Sequence, residues 1–351
     1  MLNYRENLSA LPSYDGVEKD YRIKVNANES TLGLPPLVEE RLLNRLGLVA
    51  LNRYPNEEYY SLVEQIARNF SVASEQILLG SGSSEIIEKV FHAFGGAGRK
   101  IVYPQPSFSM YKIYAKAAEA EAVPFDLDAK FDLDVDAFIK KIRATGSSLA
   151  VVCNPNNPTG NTLTLAQVEE IAKNIDCAFL LDEAYVEFYG RSAFGLVKTY
   201  PNLIVARTFS KAYGLAGARV GYMIAQAEVT RMIAKTFMPY HMNALSLTAA
   251  DIVYQMRAEF VPRIQMTVAE RQRMFERLKK LSGVEIFPSQ TNFLLIRFAR
   301  AAELAEYLEA LGIGVRYFAA PELKNCLRIS IGTRMENDEV FAAVKNFVEG
   351  R

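Results

Sequence analysis

Lys211 stands in the stretch RTFSKAYGLAGARVGY, with Thr208 and Ser210 just before it and Arg219 eight residues after. Two hydroxyls and a guanidinium near one amine suit a phosphate dianion beside an amine-bound aldehyde. The plain alternative is an exposed turn lysine ahead of a packed, glycine-containing segment. The run CAFLLDEAYVEF ends an apolar stretch on an acidic pair, Asp182 and Glu183, expected to be exposed at the carboxyl end of a strand. An aspartate there could hold a pyridine nitrogen protonated, which makes such a ring an electron sink. Tyr185, three residues on, could bond the ring's phenolic oxygen. Helix N-capping is the competing use of Asp182. In LAVVCNPNNPTG the Pro/Asn/Gly cluster is first of all a turn, and Asn157 could also donate to a ring oxygen. In LLGSGSSEIIEKV, backbone N–H groups at Ser83 and Ser84 could cradle a phosphate at a helix start. A dinucleotide loop competes there, but its third glycine and following acidic residue are missing.

These clusters need a scaffold that brings them together. Short apolar runs at residues 100–103, 149–153, 178–181, 203–206 and 219–224 read as strands. Helical patterns lie between most of them, for example at residues 84–94, 108–118 and 164–174. Strands spaced by helices predict an α/β fold with a mostly parallel, helix-covered sheet. Such a sheet places its site at the carboxyl ends of its strands, which is where the polar clusters fall. After about Tyr254 the texture changes. A charged helix over 258–281, strands in VEIFPSQTNFLLIRF and CLRISIG, and a helix over 301–312 predict a smaller α+β domain. The expected division is an N-terminal arm at 1–25 packing with the small domain, a large domain at 26–255 and the small domain at 256–351.

Composition bounds the partners. The 351 residues carry 40 basic and 40 acidic side chains, with no basic face in the sequence, so nucleic acid is not expected. Cys153, Cys177 and Cys326 are far apart and follow no metal spacing; they read as small buried residues in a reducing, cytoplasmic compartment. Two histidines make a His-based metal site improbable; His92 reads as packed or solvated, and His241, which could approach the pocket from near the domain junction, as structural. No signal peptide and no apolar run of membrane-spanning length is evident, so no membrane is expected.

Taken in order, these signals resemble the fold type I aminotransferases, which use pyridoxal 5'-phosphate. TFSKAYGLAG looks like the lysine signature of the class II pyridoxal-phosphate aminotransferases. Within them, the chain from about Tyr14 to Thr333 looks most like the histidinol-phosphate aminotransferases. VNANES, NRYPN, GSGSSE, PSFSMY, NPNNPTG, LDEAY, RTFSKAYGLAG and CLRISIGT all fall in that family's order.

The resemblance implies Lys211 as the Schiff-base lysine and Asp182 as the partner of the pyridine nitrogen. It implies Asn157 and Tyr185 on the phenolic oxygen, and Ser83, Ser84, Thr208, Ser210 and Arg219 on the cofactor phosphate. Tyr54 would reach that phosphate from the other subunit of a homodimer. Arg328 would bind the anionic end of the substrate, against the plain alternative of an edge-strand arginine in a surface pair. Asn28, Tyr14 and Arg316 would line the substrate pocket. Phe108 stands where the family usually has a tyrosine over the cofactor ring; stacking survives that change, but a hydroxyl is lost. Ser30-Thr31 replaces a more usual Asn-Pro, and Ser13-Tyr14-Asp15-Gly16 lacks the arm's usual proline. These departures bear on substrate identity rather than on reaction class. The implied reaction is transamination of histidinol phosphate with 2-oxoglutarate, in histidine biosynthesis. The alternatives are an aromatic or broad-range aminotransferase, a threonine-phosphate decarboxylase, or a non-catalytic regulator on the same fold. A nicotinamide dehydrogenase lacks its fingerprint.

Overall fold

The computed structural model describes residues 19–350. The chain begins with β1 (Ile23–Lys24), α1 (Pro36–Leu46) and α2 (Glu57–Phe70). There follow β2 (Ile77–Gly80), α3 (Gly82–Phe94), β3 (Lys100–Gln105), α4 (Met110–Ala117) and β4 (Glu121–Asp126). Next come α5 (Val135–Thr145), β5 (Leu149–Cys153), α6 (Leu165–Asn174), β6 (Ala178–Asp182), α7 (Val186–Tyr189) and β7 (Leu203–Thr208). The middle closes with β8 (Gly221–Ile224), α8 (Ala227–Ala234) and α9 (Ala244–Gln255). The last third holds α10 (Val261–Leu278), β9 (Val284–Phe287), β10 (Phe293–Phe298) and α11 (Ala301–Ala310). It ends with β11 (Ile313–Gly314), β12 (Arg316–Tyr317), β13 (Cys326–Ser330) and α12 (Arg334–Val348).

Seven strands form one sheet in the order β2-β8-β7-β6-β5-β3-β4, parallel except that β8 runs antiparallel to both of its neighbours. The central strands read as unbroken apolar runs because both faces are covered. Val152, Leu181 and Val205 point into one core, while Val151, Leu180 and Ile204 point into another on the opposite face. Each buried aliphatic side chain contributes roughly 1.5–3 kcal/mol of transfer free energy. A one-residue slip would only exchange two apolar faces, so helix packing and strand ends must set the register.

A second, antiparallel sheet, β12-β13-β10-β9, packs under α10, α11 and α12 with its own core of Leu294, Ile296, Leu304, Leu327 and Val344. β1 pairs in parallel with β11, which ties the start of the described chain to this second unit. Several boundaries differ from the sequence expectation. The strand expected from residue 219 begins at Gly221, because Arg219 has φ +52 and breaks the extended run. The single helix expected over 258–281 is a 3₁₀ turn, Arg257–Phe260, followed by α10. Among the described residues no helix is long and apolar enough to cross a membrane.

Candidate active site

The carboxyl ends of β5, β6 and β7 lie side by side, Cys153 opposite Asp182 and Asp182 opposite Ala206. Asp182, the last residue of β6, is 3 % exposed and Glu183 is 1 % exposed, so the acidic pair is buried rather than open to solvent. The two carboxylates separate by partner. Glu183 takes Arg207 in a pair at 2.9 and 3.0 Å, and accepts from Ser192 Oγ and the Ala193 N–H. Asp182 points the other way. Its Oδ1 accepts from the Ala184 N–H at 3.1 Å and its Oδ2 from the Tyr111 hydroxyl at 2.9 Å. It is not the cap of the next helix: α7 starts at Val186 with Tyr185 at its N-cap position and no side-chain cap. Burial pushes the Asp182 carboxyl up to about 6; hydrogen bonds from Tyr111 and Ala184, and the Lys211 charge, oppose that.

Lys211 sits in the loop after β7. That loop is closed by Phe209 N–H to Val220 O and Leu215 N–H to Phe209 O, each 3.0 Å, with the Phe209 ring buried. The fixed loop delivers Lys211 to the protein interior, where Nζ donates to Ala27 O at 3.1 Å. The lysine is partly buried, not an exposed turn residue. Burial, aided by the Arg328 charge, lowers its amine to about 8.

At the mouth of the same loop, Ser210 N–H donates to Thr208 Oγ1 (3.1 Å), Thr208 Oγ1 donates to Ser210 Oγ (2.9 Å), and Arg219 Nη1 donates to Ser210 Oγ (3.4 Å). The Arg219 guanidinium crosses the start of α3, so close that a Cβ on Gly82 would lie 2.5 Å from Nη2. Gly82 has φ +78, a conformation glycine adopts without cost. Ser83 and Ser84 lie in the first turn of α3, whose N–H groups have no partner within the helix. Hydroxyls, free amide groups and a guanidinium therefore converge on one point, the donor set for a phosphate dianion.

The second sheet supplies the other wall. Arg328 lies on β13, between β12 and β10, so it is not an edge-strand residue, and it is 9 % exposed. Its Nη1 donates to Asn157 Oδ1 and its Nη2 to Asn26 O, each at 2.6 Å, while its buried Nε has no partner. Burial lowers this guanidinium to about 10. Asn28, at φ +57 and 1 % exposed, donates from Nδ2 to the Tyr185 hydroxyl at 3.0 Å. The Ser330 hydroxyl and the Asn292 amide hold it in turn. Buried side-chain oxygens of Asn26 and Asn292 also lack partners. A narrow cleft opens beside Lys211, lined among others by Glu29, Ser30, Phe188, Arg263, Thr267 and Asn292.

Lys211, Asp182, Asn157, Tyr185, Asn28 and Arg328 are thus linked by direct contacts or short steps, with the Ser83, Ser84, Thr208, Ser210 and Arg219 cradle beside them. Phe108 is partly buried and meets the Tyr111 ring edge-on, with centroids 5.5 Å apart. Arg316 is exposed on β12, the cross-strand partner of Arg328. Tyr54 lies apart on the surface, 74 % exposed and stacked on Tyr240 at 4.2 Å. Tyr14 lies outside the described residues. Cys177 is only partly buried, while Cys153 and Cys326 are buried. His241 is bound to the backbone oxygens of Met238 and Leu79 and does not line the cleft; His92 lies on α3 beside Glu88. Tyr111 escaped the sequence reading. Its signal was its place in PSFSMY, one helical turn beyond Phe108.

A partly buried amine, a buried carboxylate, hydroxyl and amide groups near them and a phosphate cradle at one end fit pyridoxal phosphate. The unpartnered Arg328 Nε and the cradle that a Gly82 side chain would fill carry that conclusion. The family model for aminotransferase class I and II matches residues 22–344. A histidinol-phosphate aminotransferase of Clostridium novyi is 34 % identical over 342 residues, covering 97 % of this chain and 96 % of that one. The crystal structure of histidinol-phosphate aminotransferase from Sinorhizobium meliloti in complex with pyridoxal-5'-phosphate superposes with a TM-score of 0.91 at 24 % identity, covering 100 % and 98 % of the two chains, and shares the fold. L-threonine-O-3-phosphate decarboxylase from Porphyromonas gingivalis is similar at 26 % identity with a TM-score of 0.81, over 93 % and 99 %.

Proposed function

Because the chain belongs to the class I and II aminotransferases, enzymes that move amino groups with pyridoxal phosphate, we propose that its amino donor is histidinol phosphate and its acceptor 2-oxoglutarate. The single observation that carries this beyond the family is Arg328, a buried guanidinium whose charge acts on Lys211 and whose Nε has no partner. A guanidinium fork serves a phosphate ester and a carboxylate alike, which two such unlike substrates of one pocket require. The 34 % identity to the Clostridium novyi protein over nearly the whole of both chains supports the same substrate.

The residues take these roles. Ser83 and Ser84 amides, Thr208, Ser210 and Arg219 hold the cofactor phosphate; Asp182 pairs with the ring nitrogen; Asn157 and Tyr185 bond the phenolic oxygen; Phe108 covers the ring. Bound there, the cofactor supplies an aldehyde to Lys211 and a ring that takes up the electrons of a broken Cα bond. Lys211 Nζ is the general base that takes the Cα proton and the acid that returns it. A lowered amine suits both tasks near neutral pH. Asp182, fixed by two donors, keeps a negative charge against the ring nitrogen throughout. Arg328 and Arg316 hold the donor's anionic end, and Asn28 and Tyr14 complete the pocket. Residues 26–255 would form the cofactor domain and 256–351 the small domain, with 1–25 packing on the latter. The unit is a cytoplasmic homodimer in which Tyr54 of the partner subunit reaches the cofactor phosphate.

An absorbance titration tests the proposal. The purified protein takes up pyridoxal phosphate and shows the visible band of lysine-bound cofactor, absent in Lys211→Ala. Histidinol phosphate converts that band to the amine form, and 2-oxoglutarate restores it. A band unmoved by histidinol phosphate would reject the donor while leaving the family's chemistry in place. The likeness to the Porphyromonas gingivalis decarboxylase makes threonine phosphate the second donor to assay; release of carbon dioxide would then replace formation of an oxo product.

A further inference from the structure

Phe108, just ahead of α4, and Tyr111 and Tyr114 within it recur every third residue. Phe108 stands against Tyr111, and Tyr114 packs edge-on against Phe91 of α3. Tyr111 is fully buried, packed by Phe91, Tyr103 and Phe108, and its hydroxyl donates to Asp182 Oδ2 at 2.9 Å. We infer that Tyr111 is a positioning residue of the reaction: it orients Asp182 and keeps it an anion, so that the ring nitrogen stays protonated. This rests on the assignment of Asp182 as the partner of that nitrogen.

The physical argument is one of competition. A fully buried carboxylate is driven toward its neutral form, since no water solvates the charge. Burial lifts Asp182 to about 6, and the Tyr111 hydroxyl is the first of the groups that oppose it. The alternatives at Asp182 are few: one backbone N–H on Oδ1, a Glu183 charge that works the wrong way, and Lys211, whose own charge is weakened by burial. Tyr111 suits the task because burial and the neighbouring Asp182 raise its own hydroxyl well above the ordinary range, so it donates without giving up its proton. It also fixes direction. Oδ2 is held by α4 and Oδ1 by the chain after β6, so both oxygens of the carboxylate are fixed.

The test is Tyr111→Phe, which removes one oxygen from a packed ring. With cofactor labelled with ¹⁵N in its ring, the nitrogen signal should leave the protonated form at a pH at which wild type still holds it. The acid limb of kcat should move up by about one pH unit, so that kcat measured on that limb falls on the order of tenfold, as expected for a hydrogen bond to a charged group. KM for the amino donor should change less than twofold. Site-specific Tyr111→3-fluorotyrosine keeps the ring and strengthens the donor, so its acid limb should shift down; it also serves if Tyr111→Phe folds poorly. Adding Tyr111→Phe to Asp182→Asn should cost little beyond Asp182→Asn alone. An unchanged nitrogen signal and acid limb in Tyr111→Phe, or full additivity with Asp182→Asn, would show Tyr111 to be packing only. If Asp182→Asn itself leaves the nitrogen signal and kcat unchanged, the assignment of Asp182 fails first.

Discussion

At the scale of single residues, the site is built from groups that the fold would rather not contain. The Lys211 amine falls from an ordinary 10.5 to about 8 through burial. Between those values the unfolded chain holds a proton that the folded chain has lost, so this group's contribution to stability rises with pH across that window. Below about pH 8 it bears its full cost. Lys211→Met should therefore stabilise the cofactor-free protein at pH 7, by on the order of 3 kcal/mol, while abolishing turnover. Asp182 moves the other way, from 3.8 to about 6. Its folded form keeps a proton that the unfolded chain releases, so stability falls as pH rises between those values and the cost is complete above about 6. Asp182→Asn should likewise raise the Tm of the cofactor-free protein at pH 7. Calorimetry decides both, and a lower Tm in either variant would contradict the argument. Lys211, Asp182 and Arg219 could be picked out in the sequence only as a set, since each alone had a structural use and it was their order along the chain that matched one family's motifs. The burial of Glu183 was not, since its partner Arg207 stands on the next strand, 24 residues on, and only strand pairing brings them together.

At the scale of elements, the phosphate cradle depends on β8 lying directly against the turn between β2 and α3. A Cβ on Gly221 would sit 2.4 Å from Ser83 N, 2.6 Å from Gly82 C and 2.8 Å from Arg207 O, all backbone atoms that cannot step aside. Gly221→Ala should force the turn away from the strand. The expected loss is about 1–3 kcal/mol of stability, with cofactor affinity weakened at least tenfold; equilibrium dialysis of pyridoxal phosphate measures the second effect. Unchanged affinity would mean that the cradle tolerates displacement of the turn. The cradle's helix start was readable from GSGSSE. The strand before it was not, because Ile77–Gly80 is a short apolar run whose periodicity is compatible with several structures. Nor did the sequence reveal that this strand pairs antiparallel with β8, a contact spanning more than 140 residues.

At the scale of the whole molecule, Leu48, Leu51, Tyr54 and Met238 are each more than 70 % exposed, and Tyr240 is stacked on Tyr54. An exposed stacked pair such as Tyr54 and Tyr240 is compatible with the proposed homodimer. If Tyr54 serves the other subunit's site, a mixture of inactive Lys211→Ala with impaired Tyr54→Ala subunits should regain activity, to roughly a quarter of wild type for random pairing of two symmetric subunits. No regain on mixing and refolding would place Tyr54 outside the site. The central parallel strands and the change of texture past Tyr254 were legible, because period and composition are local properties; their order in the sheet was not. Arg328 bonded to Asn157 across 171 residues was not, because it is a meeting of two sheets. The crowding of Lys211 with Arg219 and Arg328 around one pocket has a further consequence. An anionic cofactor relieves that repulsion, and a ligand that binds only the folded chain stabilises it in proportion to the logarithm of its concentration. Inside a cell the empty molecule opens more often, and proteases that cut opened chains remove it first. Enzyme abundance should therefore follow cofactor supply without any change in synthesis. A pulse-chase comparison in cofactor-starved and replete cells measures this: wild type should be short-lived under starvation, and Lys211→Met, free of the buried charge, should show little difference.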